Sequence, residues 1–128
     1  MTDLSSLIAK LEAATEGSRE LSDEVLIACG WKRGVVGKPP LQSAYWKTPD
    51  GQRMGWEDDL TSGGVERPDP TQSLDAALTL VPSDCAWDVW GPVSGNAQLM
   101  RGSGEIIEAV AGNAILALCI AALKARAA

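Results

Sequence analysis

Residues 31–56 hold the chain's best candidates for chemistry. Lys32, Arg33, Lys38, Lys47 and Arg53 stand there against one acid, Asp50, so the segment is net +4 while the remainder of the chain is −10. Trp31, Tyr45, Trp46 and Trp56 are interleaved with those cations. Cationic groups beside aromatic faces suit a phosphorylated base, which stacks on the ring and pairs with the charge. Lys32, Arg33, Tyr45, Trp46, Arg53 and Trp56 are therefore candidate contacts for a small anionic, nucleotide-like ligand. Two readings stand beside that one: a solvated basic hairpin whose tryptophans cover a sheet edge, and a surface for a protein partner.

Other polar groupings are less specific. Glu57-Asp58-Asp59 is the densest acidic run. Paired carboxylates can bind Mg²⁺ or Ca²⁺, but a cation loop needs oxygen ligands at graded spacings. The run reads as a solvated turn, with metal-assisted hydrolysis at Asp58 and Asp59 as the alternative. Ser73 and Asp75 fit the N-cap and first-turn acid of a short helix better than a catalytic pair. The glycine-rich stretches 91–96 and 102–104 lack the spacing of phosphate-cradling loops and read as turns between strands.

The chain has no histidine, which removes the commonest metal ligand and the commonest base at neutral pH. Ser-His and Cys-His hydrolysis is thereby excluded. Cys29, Cys85 and Cys119 form no Cys-x-x-Cys pair, so neither a zinc site nor a dithiol centre is supported. Cys29 and Cys119 fall inside apolar helical patterns, where a free thiol behaves as a small hydrophobe. These residues yield no catalytic group, metal ligand or cofactor site, and they point to binding rather than catalysis.

The elements that would position these groups follow from periodicity. Leu4, Leu7, Ile8 and Leu11 make one helical stripe, and Leu21, Val25, Leu26 and Cys29 a second. Ser18 suits the second helix's N-cap and Gly30 its C′ position. Gly and Pro break every long pattern from 31 to 70, leaving extended pieces at 34–36, 43–47 and 53–57. Pro49-Asp50-Gly51 is turn chemistry, so residues 45–56 read as a hairpin. A third helix opens at Leu74 and closes at Pro82; strands follow at 86–90, 97–101 and 105–110. Trp87 and Trp90 fall on opposite strand faces. One belongs in the core, and Trp90 is the candidate anchor for a protein partner or for a second copy of the chain.

Asn113 caps a final helix in which every side chain from 114 to 123 is apolar. Such a helix needs cover all round: a sheet on one side and the N-terminal helices on the other. The run is about half the length of a bilayer span, and the N-terminus lacks a signal peptide's basic stretch, so a soluble, cytoplasmic protein is expected. A net charge of −6 argues against duplex nucleic acid. The expected fold is one α+β domain over 1–128: a mainly antiparallel sheet flanked by helices, with the C-terminal helix buried.

Three blocks carry a resemblance. LEAATEGSRELSDEVLIACGW, TQSLDAALTLVPSDCAW and NAILALCIAALKARAA resemble the phage ABA-sandwich domain family, small proteins of tailed phages and prophages without assigned activity. The likeness lies in a helix ending in Gly-Trp, a Ser-x-Asp-x-Ala helix opening and an Ala-Leu-Cys-x-Ala-Ala-Leu helix at the end. It implies an α/β/α sandwich and a phage or prophage origin; with no catalytic group in the sequence, the expected role is that of an accessory protein that binds a host or phage protein. The block 32–70 lies outside the resemblance.

Overall fold

The structure, a computed structural model, describes residues 4–38, 43–56, 68–91 and 94–127, with side chains at all of these except 43, 53–56 and 127. In chain order the elements are α1 (Leu4–Ala13), α2 (Arg19–Ala28), β1 (Lys32–Val36), β2 (Ser43–Lys47), β3 (Arg53–Trp56), α3 (Leu74–Leu78), β4 (Cys85–Trp90), β5 (Gly95–Arg101), β6 (Ile106–Ala111) and α4 (Ala114–Ala127). The fold is α+β. Its strands form two antiparallel sheets, β1-β2-β3 and β4-β5-β6, rather than the single sheet that the pattern suggests.

α4 is the centre of the molecule. Asn113 Oδ1 accepts from the Leu116 amide at 2.9 Å, the expected cap. Every side chain from 116 to 123 is fully buried. One side of the helix lies across β5 and β6, and α1, α2 and α3 cover the others. Burying a Leu or Ile side chain contributes about 1.5–3 kcal/mol relative to exposure, so α4 with Leu7, Leu11, Leu99 and Ile107 forms the main core. At its C-terminal end, Lys124 Nζ donates to the Glu108 carbonyl at 3.2 Å and Arg126 Nη2 to the Leu80 carbonyl at 3.3 Å. Cationic side chains in a last turn also complement the helix dipole. Among the described residues no helix is long and apolar enough to cross a membrane.

α2 begins and ends where its sequence directs, whereas α1 stops at Ala13, ahead of Gly17. Ser18 Oγ accepts from the Leu21 amide at 3.1 Å. Gly30, at φ 102°, sits in the left-handed region, where the Gly30 amide reaches the Ile27 carbonyl and the Trp31 amide reaches that of Leu26. Those two bonds are the Schellman termination, and they fix the direction in which β1 leaves α2.

A buried polar clasp ties the start of α2 to residues 68–72. Thr71 N donates to Ser22 Oγ at 3.0 Å, Thr71 Oγ1 donates to the Ser18 carbonyl at 2.8 Å, and Ser22 Oγ donates to Asp69. Arg19 Nη2 reaches the Pro68 carbonyl at 2.6 Å and Cys119 Sγ that of Pro70 at 3.2 Å. Pairing these groups matters because an unsatisfied buried donor costs about 1–3 kcal/mol.

Candidate functional site

Period-two alternation and register give the second sheet two unlike faces. Its inner face presents Ala97, Leu99, Ile107, Ala109 and Ala111 to α4. Its outer face is built in cross-strand rows. Asp88, Gln98 and Glu108 form the middle row, flanked by Trp90, Asn96 and Val110 on one side and Ala86, Met100 and Ile106 on the other. Trp90 is 49% exposed, Met100 48%, Ile106 50% and Val110 58%. No described helix covers this face: large apolar side chains stand in water on both flanks of an acidic centre line. A shallow depression of about 180 Å³ lies along β4 and β5, lined by Ala86, Asp88, Gln98 and Met100 of this face together with Trp87.

Trp87 departs from the expectation of one core tryptophan in this strand. It sits opposite Leu99 on the inner side, yet it is 48% exposed. The reason is position: α4 lies chiefly across β5 and β6, and β4 is an edge strand. Trp90, the predicted partner contact, stands on the open face.

The first sheet separates the residues that the sequence groups together. β1 and β2 pair as Lys32 with Lys47, Arg33 with Trp46, and Gly34 with Tyr45. Lys32, Tyr45 and Lys47 therefore share one face, while Arg33 and Trp46 occupy the other. Trp46 is 1% exposed, with buried Ala44 on the same face. It is a packing residue, which corrects its expected role as a stacking platform. Arg53 stands opposite Lys47 and Trp56 opposite Tyr45 in register, but their side chains lie outside the described set. Gly34 has a specific purpose here: a Cβ at this position would run into the Tyr45 ring, which lies across it. Like charges directly opposed across strands repel, so the exposed Lys32–Lys47 pair favours an anionic group above it. The turn joining β2 to β3 is closed by Thr48 and Gln52, and the Thr48 hydroxyl holds the Asp50 carboxyl below the usual carboxylate range.

The remaining candidates resolve into structural roles. Ser73 Oγ accepts from the Ala76 amide at 3.3 Å, the capping expected of it, and Asp75 lies in the first turn of α3. The Glu57-Asp58-Asp59 run lies outside the described residues. Among the described residues no three of His, Cys, Asp and Glu gather in a group that could hold a metal. Ser22, Asp69 and Thr71 bring hydroxyls to a carboxylate, a grouping that sequence reading missed because Ser22 and Thr71 are 49 positions apart. Ser22 and Thr71 are sealed from solvent and can present no nucleophile to a substrate. Burial likewise pushes the Cys119 thiol up to about 12 and raises that of Cys29, so neither is a ready nucleophile at neutral pH. A groove between α1 and α2 is spanned by the Lys10–Glu24 ion pair at 2.8 Å, and its Asp23 pairs with Arg19 at 2.9 Å.

Comparison with protein-family models, with curated proteins and with solved structures finds no match to this chain.

Proposed function

We propose that this protein acts by binding another protein, without catalysis, through the outer face of its second sheet. The observation that carries the reading is the pair of apolar flanks, Trp90 with Val110 and Met100 with Ile106, standing half-exposed about the Asp88–Gln98–Glu108 row. Exposed apolar patches mark interaction sites, and this face carries two of them, one on each side of its polar row. Half-exposed aromatics such as Trp90 are the usual anchors of an interface. The complementary partner is apolar with cationic side chains, to meet the acidic row. The resemblance of three sequence blocks to the phage family supports an accessory role in a phage or prophage, exercised in the cytoplasm of the bacterial host. The test is capture of proteins from bacterial lysate on immobilised wild type and on Trp90→Ser/Val110→Ser. Proteins held by the first and lost from the second are expected; identical retention by both would overturn the reading.

A second reading rests on the opposed Lys32 and Lys47 beside Tyr45: a site for a small anionic, nucleotide-like molecule on the first sheet. A ligand at a hundred times its Kd would stabilise the protein by about 2.7 kcal/mol. A nucleotide panel leaving the melting temperature unchanged would remove this reading.

A further inference from the structure

The two open faces of the molecule are opposite in charge and alike in construction. On the second sheet the row Asp88–Gln98–Glu108 runs across three strands. On the first sheet Lys32 stands opposite Lys47, and in backbone register Lys47 stands opposite Arg53 beside an irregularity between Tyr45 and Lys47, so this row too crosses three strands. Adjacent strands lie about 4.8 Å apart, so the two rows have the same span of roughly 10 Å. Lys32, Lys47, Asp88 and Glu108 are all exposed. Apolar groups accompany each row: half-exposed Val36 and the Tyr45 ring on the first sheet, Trp90, Val110, Met100 and Ile106 on the second.

We propose that these faces dock on each other between copies, the basic face of one molecule on the acidic face of the next. The inference rests on the reading of the second sheet's outer face as a protein-docking surface, and it names that face's occupant as a second copy. Two-fold pairing of the acidic face with itself would set Asp88 and Glu108 against the same carboxylates, and like charges brought together at an interface cost several kcal/mol. The same argument excludes basic face on basic face. Head-to-tail docking instead relieves the repulsion between Lys32 and Lys47 by placing carboxylates over them. The two surfaces differ, so the contact is heterologous, and each added copy leaves one face of each kind open. Assembly thus proceeds past a dimer, into a ring or a row, and a foreign basic partner would compete with the neighbouring copy.

Sedimentation velocity on the full chain, from micromolar to millimolar concentration, tests this directly. The wild type is expected to grow past dimer as concentration rises. Lys32→Glu/Lys47→Glu loses the basic face, Asp88→Lys/Glu108→Lys loses the acidic one, and each alone should sediment as a monomer. Mixed in equal amounts, they should assemble again, because each supplies the wild-type face that the other lacks and the two reversed faces are themselves opposite in charge. Circular dichroism checks that both are folded, and the milder Lys32→Gln/Lys47→Gln replaces the first if it is not. Wild type that stays monomeric, a variant that assembles as wild type does, or a mixture that stays monomeric would each overturn the proposal. A monomeric wild type that still captures proteins lost from Trp90→Ser/Val110→Ser would overturn self-docking while leaving protein binding intact.

Discussion

The two sheets of this protein are built alike and anchored differently. Each is a three-stranded antiparallel meander. The second is packed along a whole face against α4, with Leu99 and Ile107 set into the main core. The first meets the other described elements through α2 alone, and its large fully buried side chain is Trp46. A sheet with one face fixed by a buried helix has its register fixed too, since a one-residue slip would turn every apolar side chain outward. Its other face is then free to be specialised. In this molecule the outer faces of both sheets are specialised by charge, with opposite signs.

The contrast in anchoring can be broken most forcefully at α4. Leu118→Ala removes a fully buried side chain and is expected to cost about 2–5 kcal/mol, measured as a lower urea midpoint at unchanged m. The equivalent truncation on the first sheet, Val35→Ala at a position 43% exposed, should cost about 0.5 kcal/mol or less. Equal losses at the two sites would mean that the sheets are equally anchored.

Alkaline pH acts on the same core. Cys119 has a reference value of 9.0 and is held up to about 12 in the folded chain. Below pH 9 the thiol is protonated in both states and contributes nothing to a pH dependence. As pH rises from 9 towards 12 the unfolded state ionises first, so stability falls. Urea melts at pH 8 and pH 10.5 should show that loss, and Cys119→Ala should flatten it.

Smaller effects sharpen how α4 and its neighbours are tied. Ser22→Ala leaves the Thr71 amide without its acceptor inside the clasp, an expected loss of about 1–3 kcal/mol by thermal or urea unfolding. Asn113→Ala removes the cap of α4 and should cost about 1 kcal/mol. Lys32→Glu/Lys47→Glu touches exposed side chains only and should change stability by less than about 0.5 kcal/mol, while abolishing assembly in the ultracentrifuge.

Much of this was legible where local chemistry decides. Asn113, Ser18 and Ser73 cap the helices they precede, and Gly30 terminates α2. The all-round apolarity of 114–123 matches its burial between sheet and helices. Alternation also marked β4, β5 and β6 to within two residues. Less could be read where distant segments decide. Period two alone separates Lys32 from Arg33 and Tyr45 from Trp46, but which face is buried depends on what packs there. Trp46 is inside and Trp87 half outside for that reason. The clasp joining Ser22 to Thr71 has no local signature, since hydroxyls so far apart in the chain look like ordinary surface residues. The charge rows needed register: Asp88 and Glu108 are 20 positions apart in sequence and become one line only through Gln98.

Head-to-tail docking of the two faces is tested most directly by zero-length carbodiimide cross-linking of an equal mixture of ¹⁴N- and ¹⁵N-labelled protein. The Lys10–Glu24 ion pair, at 2.8 Å within one molecule, supplies the internal control and should give links of a single isotope. Mixed-isotope links from Lys32 or Lys47 to Asp88 or Glu108 are the predicted result. Mixed-isotope links absent at those residues, with the Lys10–Glu24 link present, would contradict it.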